Sequence, residues 1–158
     1  MFGLAVVCPG SKALVHASAT VSATAHASCA DVKAEMLARV QGQGDELWHD
    51  PHNNGTYAVT HEAPLSLSLS RLTGDKKYTD MMTVTLAEGP GGTCSIAGCS
   101  ESQVTSILDF GTNYCNLKML YCGSADGCKP VSHDFTNTDE RVKKSSGAAA
   151  DMKKCLTV

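Results

Sequence analysis

Two histidines and a carboxylate lie within four residues of one another in the segment WHDPHN. Imidazole and carboxylate groups ligate zinc or copper, and the same groups act as general acids and bases. His49, Asp50 and His52 are therefore candidate metal ligands or catalytic groups. His61 or His133 could supply a further donor. This pattern makes a secreted metal-dependent hydrolase or metal-binding protein the alternative hypothesis for function.

The same segment has a simpler interpretation as a structured loop. Trp48 would anchor it in the core, Asp50 would cap a turn before Pro51, and both histidines would face solvent. The H-E-x-x-H pattern of zinc proteases is absent, and turn-forming residues stand where a helical pattern would be needed. A closed zinc site needs four donors. We therefore predict that His49 and His52 do not jointly hold a tight metal ion, and we predict no cofactor.

The sequence contains eight cysteines, and six of them are clustered in its second half with the spacing C-x4-C-x15-C-x6-C-x5-C-x26-C. Zinc sites favour paired ligands two to four residues apart, and no C-x2-C pair is present. Such a density in a small chain instead predicts a disulfide framework made in an oxidising compartment. The disulfide candidates are Cys8, Cys29, Cys94, Cys99, Cys115, Cys122, Cys128 and Cys155.

The positions of three cysteines suggest how the framework is arranged. Cys29 opens an amphipathic helix that must dock, so we expect it to bond into the cysteine-rich C-terminal half. Cys115 and Cys122 lie about 10 Å apart, two turns along one predicted helix, and cannot bond each other there. Both are expected to bond outward, within a total of at least three disulfides.

The first 27 residues differ in composition from the rest of the chain. They contain no acidic residue, are rich in alanine, serine, threonine and valine, and end in Ala25-His26-Ala27, a small-x-small pattern. Residues 1–27 are thus a cleaved targeting segment or a flexible tail, followed by a single disulfide-rich domain over 28–158. Cleavage after Ala27 would remove Cys8 and leave one cysteine unpaired or intermolecular.

Two patterns predict the elements of the first half. Apolar residues recur every three or four positions over residues 29–41, which predicts a helix. Leucine, methionine and valine alternate with serine and threonine over residues 65–70 and 82–86, which predicts an antiparallel hairpin with its hydroxyl side chains exposed. The side chains expected to be buried together are Leu65, Leu67, Leu69, Met82, Val84 and Leu86.

Two further helices are predicted in the second half. Residues 100–103 match the S-x-x-Q capping box, and this helix would end near Gly111. A second helix would run from Asn113 to about Tyr121. The predicted fold class is α+β: an N-terminal helix on a small antiparallel sheet, with a disulfide-stapled helical and irregular C-terminal half.

Composition and motifs exclude several functions. A formal net charge of −3 argues against binding nucleic acid through phosphate contacts. No stretch approaches the roughly 18 apolar residues of a membrane span. The nucleophile elbow G-x-S-x-G, the P-loop and the dinucleotide fingerprint are all absent. Asn54-Gly55-Thr56 is a sequon, which makes Asn54 a glycosylation candidate.

The favoured hypothesis is an exported, disulfide-stabilised protein without catalytic activity that binds or scaffolds a protein partner, as an accessory subunit of a larger assembly. Secretion to the extracellular space is expected. The thylakoid lumen or another organelle lumen is the alternative, because Ala-x-Ala also ends lumen-targeting segments and the lumen tolerates disulfides.

Overall fold

The computed structural model describes residues 3–108, 111–145 and 150–156. Within them, six antiparallel strands form one sheet in the order β2-β3-β4-β5-β1-β6, accompanied by three helices. In chain order the elements are β1 (Ser18–Ala25), α1 (Cys29–Gly42), β2 (Thr56–Ala63), β3 (Ser66–Leu72), β4 (Thr79–Glu88), β5 (Cys94–Ser102), α2 (Thr112–Tyr121), β6 (Asn137–Lys144) and α3 (Met152–Cys155).

The sheet has two chemically different faces. One face is apolar and packs against α1 and α2, which places the hydrophobic core between the sheet and these helices. The opposite face, here called the outer face, carries serine and threonine side chains from β1, β3 and β4. The two faces follow from the period of two in each strand, which sends successive side chains to opposite sides.

The predicted N-terminal helix on a small sheet is wrong, because the first element is strand β1 and α1 follows it. β1 lies between β5 and β6 and pairs with both. Its sequence, SATVSATA, alternates small apolar residues with hydroxyl residues, and the apolar set is buried. This alternation is typical of a strand, but the unusual composition of the segment favoured a targeting segment or a tail instead. Cleavage after Ala27 would remove this internal strand, and such processing stays a prediction.

The prediction of a helical and irregular C-terminal half is also wrong, in two places. The segment with the S-x-x-Q pattern is the end of β5, where Ser100 pairs with Ala19 on one side and Met82 on the other. Backbone pairing along both edges of a strand outweighs a local capping pattern, since every amide of the segment is then satisfied. Beyond α2, the tail that was expected to be irregular contributes strand β6. The rest of the predicted helix to Gly111 includes residues 109–110, which lie outside the described residues.

The helix predicted over 29–41 is present as α1. Ser28 caps it, and the Ser28 hydroxyl accepts a hydrogen bond from the backbone N–H of Asp31 at 3.1 Å. The helix predicted from Asn113 to Tyr121 is present as α2, whose residues are almost all buried between the sheet, α1 and α3.

The hairpin of β3 and β4 has the predicted register. Leu67 pairs with Val84 and Leu69 with Met82, and all four side chains are buried. Leu65 is the exception among the six predicted core residues, because it precedes β3 and is 43% exposed. The serines and threonines between them are half-buried, where the sequence predicted full exposure.

All eight cysteines are paired, so the chain carries four disulfides. Such a number fits an oxidising compartment and a disulfide-stabilised protein. One bond joins the start of α1 to β5, and another joins α2 to α3, so the helices are tied to other elements. The pairs are Cys8–Cys99, Cys29–Cys94, Cys115–Cys155 and Cys122–Cys128.

Replacing Leu67 by alanine tests the register of the hairpin. The buried leucine would leave a cavity under the helices, so the free energy of unfolding should fall by about 2–5 kcal/mol in a denaturant titration. Leu65→Ala is the matched control, since the same substitution two residues away at an exposed position should change stability by less than about 0.5 kcal/mol. Equal losses in the two variants would contradict the register.

Candidate functional site

A cavity of about 300 Å³ opens at the end of the sheet where the turn between β3 and β4 meets the start of α2. The 42–56 loop and the segment after β5 complete its wall. The lining is mixed, with hydroxyl, amide and carboxylate groups below an aromatic and an aliphatic side chain. The lining residues are Asn53, Thr73, Gly74, Asp75, Tyr78, Asp80, Ser102, Ser106, Leu108 and Thr112.

The floor of this cavity belongs to a buried polar network between the sheet and α2. The amide nitrogen Nδ2 of Asn116 donates to Oδ2 of Asp80 at 2.7 Å and to Oγ of Ser100 at 3.1 Å. The Ser100 hydroxyl donates to Oδ1 of Asn113 at 2.6 Å, and Nδ2 of Asn113 donates to Oγ of Ser102 at 3.1 Å. Asp80 is only 2% exposed. The network therefore holds one carboxylate at a defined position on the cavity floor.

A buried ion pair supports the loop on one side of the cavity. Arg71 of β3 donates from Nε and Nη2 to Oδ2 of Asp50, at 3.0 and 2.8 Å, and both side chains are fully buried. Nη2 of Arg71 also donates to Oδ1 of Asn53 at 3.0 Å. Because Asn53 lines the cavity, the guanidinium sets the position of part of its wall.

Tyr57 fills the space beneath this ion pair. Its ring lies 5.4 Å from the Arg71 guanidinium carbon, and its hydroxyl donates to the backbone carbonyl of Asn116 at 2.8 Å. Burial, with the nearby charge of Asp50, raises the pKa of the Tyr57 hydroxyl well above its usual value, so the group remains a donor. The tyrosine thereby connects the ion pair to the network under the cavity.

The rim of the cavity is more exposed than its floor. Tyr78 is 45% exposed and Leu108 is 62% exposed. Asp75 stands in the turn beside them, and its Oδ1 accepts a hydrogen bond from the Thr73 hydroxyl at 2.6 Å. This hydrogen bond lowers the pKa of the Asp75 carboxyl group, which is therefore charged at neutral pH.

The structure disperses the residues that the sequence proposed for a metal site. His49 is exposed and lines a second cavity beside Trp48, whereas Asp50 is buried against Arg71. Oδ1 of Asp50 also accepts from the backbone N–H of His52 at 2.8 Å, so both carboxylate oxygens are in use. His61 lies exposed on the edge strand β2, and the fifth candidate, His133, is exposed in the loop before β6.

Within the part of the chain that the structure describes, one group of three metal-ligand side chains is close enough to share an ion: Cys8, Cys99 and Glu101. Two of these are joined in a disulfide, and a disulfide sulfur lacks the negative charge of the thiolate that binds metals. The alternative metal site at His49, Asp50 and His52 therefore gains no geometric support, and it remains a hypothesis for metal analysis.

Two charged residues on which this end of the molecule depends, Arg71 and Asp80, were not predicted from the sequence. Arg71 lies two residues after Leu69, and Asp80 lies two residues before Met82. Side chains two residues apart in a strand point to the same face, so both charged side chains point to the buried face of the sheet. They also face each other across the hairpin. Opposite charges at paired, inward positions were a readable signal, because a charged side chain on a buried face needs a partner.

No protein-family model, curated protein or solved structure matches the chain significantly.

Replacing Gly55 by alanine tests the close approach of the Arg71 guanidinium to the loop backbone. A Cβ at this position would lie 2.0 Å from Cζ of Arg71, so the guanidinium would be pushed away from Asp50. Breaking a buried ion pair should lower the free energy of unfolding by about 3 kcal/mol or more, as measured in a denaturant titration. Gly44→Ala is the control, because its Cβ would meet nothing nearer than 3.9 Å. A stable Gly55→Ala protein would contradict this packing.

Zinc analysis tests the metal hypothesis. The protein is incubated with one equivalent of zinc and dialysed, and its metal content is then measured. We expect less than stoichiometric zinc, because Asp50 already serves Arg71 and His49 stands alone at the surface. Stoichiometric zinc that survives dialysis, and is lost when His49 and His52 are both changed to alanine, would contradict this expectation.

Proposed function

We propose that this chain is an exported binding protein without catalytic activity, and that its cavity receives the amine of a lysine side chain from a protein partner. The observation that carries the proposal is the buried Asp80 carboxylate on the floor of an open cavity. The four disulfides are compatible with an exported, disulfide-stabilised protein. No helix in the described residues combines the length and hydrophobicity that crossing a membrane requires.

The charges around the cavity favour a cation. Its described lining contains the carboxylates of Asp75 and Asp80 but no lysine, arginine or histidine. Arg71 lies behind the floor, where it pairs with Asp50 and also faces Asp80 across the hairpin, so one guanidinium serves two buried carboxylates. A positive group entering from solvent would therefore meet an excess of negative charge at a site with restricted water access, where electrostatic attraction is stronger than in bulk water.

The shape of the lining favours a cation on an apolar stem. Tyr78 and Leu108 stand at the rim, where the four methylene groups of a lysine would pass, and the ring of Tyr78 can attract the ammonium group. Hydroxyl and amide oxygens of Ser102, Thr112 and Asn53 line the same space and can accept from its three N–H groups.

A protein partner is favoured by the exposed apolar side chains next to the rim. Ile107 is 73% exposed and adjoins Leu108, which stands at the rim. Large apolar side chains grouped on a surface mark contact sites between proteins, and an aromatic anchor at the centre is common there.

The cavity lining supports binding better than catalysis. None of its ten described residues is a histidine or a cysteine. Its serine hydroxyls already have backbone or amide partners, since Oγ of Ser106 accepts from the N–H of Ala17 at 2.8 Å and Oγ of Ser102 accepts from Asn113.

The role of accessory subunit belongs to this proposal, as does glycosylation at Asn54, whose side chain is exposed in a turn.

The binding proposal is tested by NMR titration with Nα-acetyl-lysine methylamide, using the norleucine analogue as the uncharged probe of similar length. We expect the lysine probe to shift the amide signals of Asp80, Ser102 and Thr112, and to bind at least about tenfold more tightly than the norleucine probe. Tyr78→Ala should weaken its binding, because the stem and the ammonium group lose a partner.

Leu47→Ala is the matched control, since this leucine is 68% exposed and lies outside the cavity lining. Equal binding of both probes, or shifts confined to other parts of the protein, would contradict a lysine site. A crosslinking experiment could show that the Tyr78→Ala variant loses a natural protein partner although the protein has no preference for the lysine probe. That outcome would support protein binding at the rim and would contradict the binding of a lysine amine.

A further inference from the structure

The disulfide between Cys8 and Cys99 differs from the other three in its exposure to solvent. Cys8 is exposed, whereas Cys99 is fully buried. Both cysteines of every other disulfide are buried, and the most accessible of those six, Cys128, is 6% exposed. Exchange with a thiol requires the attacking sulfur to reach a disulfide sulfur in line with the S–S bond. Because Cys8 is the exposed residue of the pair, we expect a thiol to reach its sulfur first.

This disulfide connects residues 3–12, here called the N-terminal strap, to the outer face of the sheet. Cys99 lies on that face of β5, beside Thr83 of β4 and Thr20 of β1. The strap contains no helix or strand, and most of its residues are exposed, including Val7 at 59%.

Hydrogen bonds between the strap and the sheet are made largely at the surface. The Thr83 hydroxyl donates to the carbonyl of Val7, and the N–H of Gly10 donates to a carboxylate oxygen of Glu101. Nε2 of Gln103 donates to the carbonyl of Gly10 at 2.8 Å. Water can replace such exposed hydrogen bonds with little change in free energy. The covalent bond is therefore the main restraint on the strap.

We propose that Cys8 is a site of thiol–disulfide exchange with small cationic thiols, and that exchange releases the strap from the outer face. The thiolate attacks Sγ of Cys8, and a new S–S bond forms as the Cys8–Cys99 bond breaks. Cys99 leaves as a thiolate and takes a proton from water. A second thiol can then attack the adduct, which frees Cys8 as a thiol and gives the oxidised small disulfide, so the two electrons come from two thiols.

The preference for a cation comes from Glu101. One of its carboxylate oxygens lies within 4.8 Å of both sulfur atoms. A thiolate on a small molecule with a further negative charge is repelled there, whereas an ammonium group on the same molecule is attracted. His16, whose Nε2 lies 3.0 Å from Oε1 of Glu101, is the cationic partner on the other side of this carboxylate. The hydrogen bond to Glu101 raises the pKa of His16, so this opposing charge is lost, and the preference for cations is greatest, above that raised pKa.

Three thiols of similar size test the proposal on the full chain: cysteamine, 2-mercaptoethanol and 3-mercaptopropionate. After brief exposure at pH 8, remaining thiols are alkylated and the adducts are located by peptide mass spectrometry. We expect the first adduct on Cys8 with Cys99 alkylated, at least about tenfold faster than any other disulfide opens. Per mole of thiolate, cysteamine should react about three- to tenfold faster than 3-mercaptopropionate.

Glu101→Gln isolates the charge effect. The ratio of the cysteamine rate to the 3-mercaptopropionate rate should fall toward one, while the neutral thiol serves as a reference for any change in the mobility of the strap. A first adduct on Cys122 or Cys128, or simultaneous opening of several disulfides, would overturn the proposed site. An unchanged ratio in Glu101→Gln would overturn the selection of cationic thiols.

Hydrogen exchange tests the release. After modification at Cys8, amides of residues 3–12 should exchange faster while those of β1 and β5 stay protected. The double variant Cys8→Ala with Cys99→Ala should show the same pattern. The double variant Cys122→Ala with Cys128→Ala, which opens a different disulfide, should leave the strap unchanged. A strap whose exchange is unaltered by Cys8 modification would overturn the release. The strap belongs to the chain that retains its first 27 residues.

Discussion

The guanidinium of Arg71 must be satisfied inside the protein, and this requirement organises the end of the sheet that carries the cavity. Removing a charged group from water is costly unless partners replace the solvent. From the 42–56 loop, Asp50 accepts hydrogen bonds from Nε and Nη2, Asn53 accepts from Nη2, and Gly55 leaves room for the guanidinium. The Arg71 side chain thus holds the loop against β3. A backbone hydrogen bond from the N–H of Gly74 to the carbonyl of Asn53, at 3.0 Å, adds to the support of this wall of the cavity.

The two faces of the sheet differ in their chemistry. On the helix side, Asp80, Asn116 and their hydroxyl neighbours form a polar network under an otherwise apolar layer. On the outer side, half-buried hydroxyl groups lie beneath the N-terminal strap. Side chains alternate between the two faces along each strand. A shift of one residue in register would therefore move the apolar side chains to the outer face and the hydroxyl side chains to the helix side.

The four disulfides differ in their burial and in the elements that they join. Three of them are buried and join a helix or its end to a strand, a helix or a loop, and such crosslinks stabilise a short chain with few aromatic residues. The fourth joins an exposed segment to the centre of the sheet. The cavity therefore lies at one end of the sheet on its helix side, whereas the strap lies on the outer face.

Local patterns in the sequence were sufficient for α1, for α2 and for the register of β3 with β4, because each depends on a period that nearby residues display. They were also sufficient for the disulfide-rich character of the protein. Strand β1 and the end of β5 were decided by tertiary structure, since their hydrogen bonds go to residues far away in the chain. The same holds for the site. The histidine segment drew attention through the proximity of its residues in sequence, yet Asp50 turned toward Arg71, and the cavity arose where three distant segments meet. Periodicity is a local property, whereas the partner of a buried charge is chosen by the whole fold.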